Sequence, residues 1–321
     1  MKRVFFIVGP TAAGKSEIAA EVAHQVNAEI ISGDAFQIYR GLDLLTAKPE
    51  KATLEKAPHH LLSAVPLSEE MNVEKFRATA VGAIRDIQGR GKNVIVAGGS
   101  GLYVKSLTHG LSRLPAANPT LRAQLNELSL EKLSGRLLRL DPATAGTIDL
   151  KNRQRVTRAL EICLLTGKPA SAQRVVAALA ERGQLVVAAG AVRGQPRSAS
   201  AAKGVFLFRN RAELYERINL RVERMFAEGV VEEVRALPGL GSTAGKALGL
   251  REIRALLGGE ISETECIARI QQATRRYAKR QLTWFQRQDN FEPLNLSSHG
   301  YPEAIELIAQ NARLAFAHMD D

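Results

Sequence analysis

Gly9-Pro10-Thr11-Ala12-Ala13-Gly14-Lys15-Ser16 follows the apolar run Val4-Phe5-Phe6-Ile7-Val8 and leads into a helix-like stretch, Glu17 to Val26. The spacing is G-x-x-x-x-G-K-[ST], and a strand before it with a helix after it is the context in which it forms a phosphate-binding loop. Glycines let successive backbone N–H groups turn inward around phosphate oxygens. Lys15 adds a charge, the helix start adds its partial positive charge, and the Ser16 hydroxyl can hold Mg²⁺. The loop implies a bound di- or triphosphate. It leaves open whether a phosphoryl group moves or the phosphate is a handle or a leaving group.

Outward from the loop, the chain reads as alternating strands and helices. Residues 28–32 and 93–97 are short apolar runs ended by Gly-rich turns, and Val205–Phe208 suggests another strand. This predicts an α/β fold, a phosphate-loop NTPase-like parallel sheet with flanking helices. Residues 118–182 carry almost only helical patterns, so a helical insertion domain is expected over 115–203, within a core of 1–114 and 204–321. Residues 168–203, rich in Ala, Arg, Gly and Ser, are expected to form a helix and an exposed loop. Residues 211–289 are helical again. Ser262 and Glu265 form an S-x-x-E capping box, which predicts a long helix starting there.

Composition is that of a globular protein, with 45% apolar and 24% charged residues. No apolar run nears the ~18 residues of a membrane span, so no membrane partner is expected. Lys2 and Arg3 before Val4–Val8 do not make a signal peptide, because the run is short and feeds into the phosphate loop. Cys163 and Cys266 stand alone, which argues against a disulfide framework or a cysteine zinc site and fits a reducing cytoplasm. The net charge is +11, of which residues 1–110 hold +2 and the remainder +9. The basic excess away from the loop points to a polyanion, nucleic acid before membrane, although solubility alone also uses such charge.

The long C-terminal helix shows where that charge collects. At about 100° per residue, Ile267, Ile270, Thr274, Tyr277, Gln281 and Phe285 share one side. Arg269, Arg276, Arg280 and Arg287 stack in a stripe on another, widened by Arg275 and Lys279. A solvated face usually mixes signs in i,i+4 pairs; a nearly single-signed stripe favours phosphate contacts.

Three further segments carry chemistry. Asp34 follows the second strand, where open α/β sheets bind ligands. It can order Mg²⁺ water or act as a base, or serve only in capping or an internal ion pair, and Gln37 can hydrogen-bond a substrate. Ala97-Gly98-Gly99-Ser100-Gly101 ends the third strand without the Walker B carboxylate of phosphate-loop NTPases, and Ser100 suits a substrate contact or a helix cap equally. Arg155 and Arg158 lie i,i+3 apart, within reach of Lys151, as a phosphate grip or a solvated face. His59-His60 is expected to be a structural turn.

These segments together resemble the tRNA dimethylallyltransferases (tRNA isopentenyltransferases), in the bacterial form without a zinc finger. The resemblance rests on GPTAAGKS (9–16), DAFQIYRGLDLLTAKP (34–49), PHHLL (58–62), VIVAGGSGLYVKSL (94–107), RQRVTRALEI (153–162), LYERINLRVERM (214–225), KALGLREI (246–253) and TRRYAKRQLTWF (274–285). It implies transfer of a dimethylallyl group from dimethylallyl diphosphate to N6 of the adenine 3′ of the anticodon, with Mg²⁺ required and diphosphate released. It implies that Gly9 to Ser16, Lys15 above all, hold the diphosphate with Arg221 and Arg217. Asp34 is implied as the base at N6, and Ser16 as the Mg²⁺ ligand. Ser100, at a position usually Thr, and Asp34, Ala35, Phe36 and Gln37 are implied to meet the extruded nucleotide. Contacts to the tRNA anticodon stem-loop are implied for Arg122, for Gln154, Arg155, Val156, Thr157 and Arg158, and for Lys246, Ala247, Leu248, Gly249, Leu250 and Arg251. They are also implied for Arg276 and for Lys279, Arg280, Gln281, Leu282, Thr283, Trp284, Phe285 and Gln286. A cytoplasmic monomer is expected. Two other readings of the loop stand beside this one: a small-molecule kinase, and a tRNA-binding relative that has lost catalysis.

Overall fold

A computed structural model describes residues 4–111, 114–172 and 203–317. Six strands form one sheet: β1 (Val4–Val8), β2 (Ala28–Ser32), β3 (His59–His60), β4 (Asn93–Gly98), β5 (Lys203–Phe208) and β6 (Glu292–Asn295). Their order is β3-β2-β4-β1-β5-β6, and every neighbouring pair is parallel. All five residues of β1 and of β2 are buried. This is why these strands read as continuous apolar runs: a parallel sheet is covered on both faces. In β1, Phe5 and Ile7 face one core, and Val4, Phe6 and Val8 the other.

Helices α1 (Lys15–Gln25), α2 (Lys51–Leu54), α3 (Val73–Gly89) and α4 (Gly101–Thr108) belong to the sheet-bearing unit. Helices α5 (Pro119–Asn126), α6 (Leu130–Leu140), α7 (Pro142–Ala145) and α8 (Arg153–Thr166) form a second compact unit beginning at Gly110. The chain re-enters the first unit at β5 and continues through α9 (Arg211–Ala227), α10 (Val230–Arg235), α11 (Leu250–Leu257), α12 (Glu263–Phe285) and α13 (Tyr301–Ala317). In the second unit, Leu125, Leu133, Leu137, Val156 and Leu160 make a separate core. Its helices are capped by the side chains of Asn118, Ser129, Asp141 and Asn152, each accepting from a first-turn N–H.

The parallel sheet, the insertion of helices and the long helix after Ser262 agree with the sequence reading. Ser262 caps α12 by accepting from Glu265 N–H, while the Glu265 carboxylate accepts from Arg269. Two strands differ from expectation. His59-His60 is not a turn but β3, paired with Ile30 and Ile31; the His60 ring meets Glu29 Oε2 at 2.7 Å. Edge strand β6 has the sequence Glu-Pro-Leu-Asn, too short and polar to read as a strand, and an edge is where a sheet tolerates proline. Of the helix and loop expected over 168–203, residues 173–202 lie outside those described.

Candidate active site

The site lies beyond the carboxyl ends of β1, β2 and β4, which deliver the phosphate loop, Asp34 and the Gly98–Ser100 turn. They border a cavity of about 710 Å³, which Arg217, Arg221 and Gln281 also line. A smaller cavity of about 70 Å³ shares Thr11, Asp34 and Arg221, and apolar side chains of Phe36, Ile218 and Met225 help to wall it.

The loop's carbonyls are held by cationic side chains, two from outside it and one of its own. Arg209 Nε donates to Ala13 O at 3.0 Å, Arg217 Nε to Ala12 O at 2.9 Å, and Lys15 Nζ to Pro10 O at 2.6 Å. Arg221 Nη1 donates to Thr11 Oγ1 at 3.0 Å. Ala12 sits at φ 63, a left-handed conformation that costs energy for a residue with a Cβ and that these contacts maintain. Gly14, at φ 95, starts α1 without a side-chain cap, which leaves the first N–H groups of the helix for an anion. Thr11 departs from the expected cradle: its N–H already donates to Gln281 Oε1 at 2.8 Å.

Burial pushes the Lys15 ammonium down from 10.5 to about 8; Asp34 raises it in part and Arg221 lowers it further. Arg221 is likewise lowered by burial, with Asp34 opposing. Both cations feel the Asp34 carboxylate and each other's neighbourhood, so positive charge outweighs negative beside the loop.

Asp34 closes its own turn and still borders both cavities. Its Oδ1 accepts from Phe36 N at 2.9 Å and Gln37 N at 3.3 Å, which closes the turn, while the residue lines both cavities. Ser100 Oγ accepts from Ala35 N at 2.9 Å. The Gln37 amide is occupied internally: Nε2 donates to Ala47 O at 3.1 Å and Thr46 O at 3.3 Å, and Oε1 accepts from Ser32 Oγ.

Gln281 is the main departure from the sequence reading. It is only 6% exposed, and its Nε2 donates to Gly99 O at 2.9 Å while Oε1 holds Thr11 N. A Cβ at Gly99 would meet Gln281 Nε2 at 2.4 Å, so glycine there gives the amide its access. Gln281 therefore joins the phosphate loop to the β4 turn, with both amide atoms engaged by the backbone. Phe285, Val156, Thr157, Ala247, Gly249 and Leu250 are also buried and belong to the core, because helical segments alternate inward and outward faces. Leu248, Leu282 and Trp284 are partly buried.

The outward positions of those segments are Gln154, Arg155, Lys246, Arg251, Arg276, Lys279, Arg280, Thr283 and Gln286. Arg280 lies over the Tyr277 ring, 5.6 Å from its centroid. Arg122 and Arg158 converge on buried Glu161, at 2.6 and 3.0 Å, and pair with its carboxylate inside the second unit. Arg209 was not picked out from the sequence; its placement at the end of β5, beside β1, was the available signal.

The IPP transferase family model matches residues 37–288. A tRNA dimethylallyltransferase of Akkermansia muciniphila is 41% identical over 94% of this chain and 96% of its own. One from Citrifermentans bemidjiense is 40% identical over 90% of each chain. The crystal structure of the full-length tRNA isopentenylpyrophosphate transferase of Bacillus halodurans superposes with a TM-score of 0.70 at 31% identity, covering 100% of this chain and 98% of that one. The family model spans most of the chain and these relatives span nearly all of it: the chain belongs to the IPP transferase family.

Proposed function

We propose that this protein transfers a dimethylallyl group from dimethylallyl diphosphate to N6 of the adenine 3′ of the anticodon in tRNA, releasing diphosphate. One observation carries the reading: Asp34, at the end of β2, shares a cavity with a phosphate loop and two half-buried cations, and the β4 end offers Gly-Gly-Ser where an ATPase would place its carboxylate. The relatives' names point to the same chemistry.

An exocyclic purine amine is a weak nucleophile, so the leaving group must be stabilised strongly. Lys15, Arg221 and the α1 N–H groups do this by meeting charge as it develops on the departing oxygen. The N6 nitrogen forms the new bond to the allylic carbon, the carbon–oxygen bond to diphosphate breaks, and Asp34 takes the N6 proton. The hydrocarbon group rests against the apolar wall of the smaller cavity. Mg²⁺ fits this donor set, with the Ser16 hydroxyl and the Asp34 carboxylate as hard oxygen groups beside the diphosphate, and when bound it would neutralise the departing charge. The adenine has to leave its stack to reach the carbon, which a loop nucleotide does at low cost. Arg276, Lys279 and Arg280 hold the tRNA backbone from α12.

Incubation with dimethylallyl diphosphate and unmodified tRNA should yield prenylated nucleoside. Asp34→Ala should abolish transfer while tRNA binding persists. A phosphorylated product from ATP, with no prenylated nucleoside, would replace this reading with a kinase.

A further inference from the structure

One wall of the large cavity is the segment 43–48, and a carboxylate far away in sequence holds it. Glu233, in α10, accepts from three successive backbone N–H groups: Asp43 at 2.7 Å and Leu44 at 2.8 Å through Oε1, and Leu45 at 2.9 Å through Oε2. The segment needs such a fastener. Ala47 sits at φ 45, a left-handed conformation that an isolated alanine seldom adopts. Lys48 anchors the other end, its ammonium donating to Asp43 Oδ1 at 2.6 Å and Ser63 Oγ at 2.7 Å. Between these two anchors, Thr46 O accepts from Arg221 Nη2 at 3.4 Å and from Gln37 Nε2 at 3.3 Å. The segment therefore shares with Thr11, whose Oγ1 accepts from Arg221 Nη1 at 3.0 Å, in setting where Arg221 points.

We infer that Glu233 is a positioning residue for the diphosphate site. It keeps the 43–48 wall in the conformation that aims Arg221 at the cavity, and it touches neither the ligand nor the reacting atoms. The inference rests on the proposed diphosphate chemistry of this cavity. Without Glu233 the wall occupies its binding-competent form only part of the time, and apparent affinity falls by that fraction. Once ligand is bound the competent form is selected again, so turnover at saturation is kept. Charge-assisted hydrogen bonds of this kind are strong enough to shift such a population about tenfold.

The test uses two variants of the full chain. Glu233→Ala removes all three acceptors; Glu233→Gln keeps one oxygen, enough for the pair of N–H groups that Oε1 now serves. Calorimetric binding of inorganic pyrophosphate with Mg²⁺ should weaken about tenfold in Glu233→Ala and less in Glu233→Gln. In the transfer assay, KM for dimethylallyl diphosphate should rise in the same order, with kcat and KM for tRNA within about twofold of wild type. A fall in kcat at unchanged KM would mean fewer folded molecules and would overturn the inference. So would unchanged pyrophosphate affinity in both variants. Wild type that binds pyrophosphate but transfers nothing would refute the proposed function instead, and the binding series would still judge Glu233.

Discussion

Replacing Gln281 with leucine keeps the side chain's size and removes both of its hydrogen bonds. The backbone groups left behind differ in their access to water. Gly99 O is buried and stays unpaired, which costs about 2 kcal/mol. Thr11 borders the large cavity, so its N–H regains a water and loses only about 1 kcal/mol. The leucine itself is more apolar than the amide and recovers up to about 1 kcal/mol. The net expectation is a loss of about 2–3 kcal/mol. Trp284, the single tryptophan, lies one turn along the same helix and reports on this unit, so urea unfolding followed by its fluorescence reads the loss locally. Pyrophosphate affinity should fall as well, because Thr11 is no longer tied to the β4 turn. Gln281→Glu should be no better, since it retains the acceptor for Thr11 but sets a carboxylate against Gly99 O. A loss below about 1 kcal/mol with unchanged pyrophosphate affinity would refute the argument that Gln281 is a structural tie.

Two more outcomes follow from charge. Lys15 in the free protein titrates near 8 instead of 10.5, so the unfolded chain binds more protons between those values, and the fold gains stability as pH rises through that window. Diphosphate needs the ammonium, so affinity for dimethylallyl diphosphate should fall about tenfold per pH unit above 8; a phosphate ester's own last proton leaves near pH 6 and does not interfere. Lys15→Arg should flatten this slope in calorimetric titrations, and a slope that survives would assign it to another group. Arg276→Ala and Arg280→Ala should each lower the slope of log affinity for tRNA against log salt by about 1, measured by filter binding; an unchanged slope would remove these residues from the phosphate contacts.

Local spacing made much of this protein readable. The phosphate loop, the buried parallel strands, the Ser262 cap and the two faces of α12 each depend on residues close together in the chain, where periodicity and capping chemistry operate directly. The position of Asp34 beside the loop followed from the rule that open sheets bind ligands at strand ends. The strands β3 and β6 were hidden because two or four residues at a sheet edge are too few to carry a period.

Contacts across long stretches of chain were different. That Gln281 meets Thr11, that Arg122 meets buried Glu161, and which carboxylate fastens the Asp43–Lys48 wall depend on partners 39 to 270 residues away. Spacing along a helix assigns a residue to a face, but only the packed neighbour decides what that face meets. The phosphate loop's capacity to bind an anion was thus a property of the sequence alone. The rigidity of that loop, held by Arg209, Arg217, Arg221 and Gln281, was decided by the tertiary structure, because its carbonyls and N–H groups needed partners that only folding could bring to them.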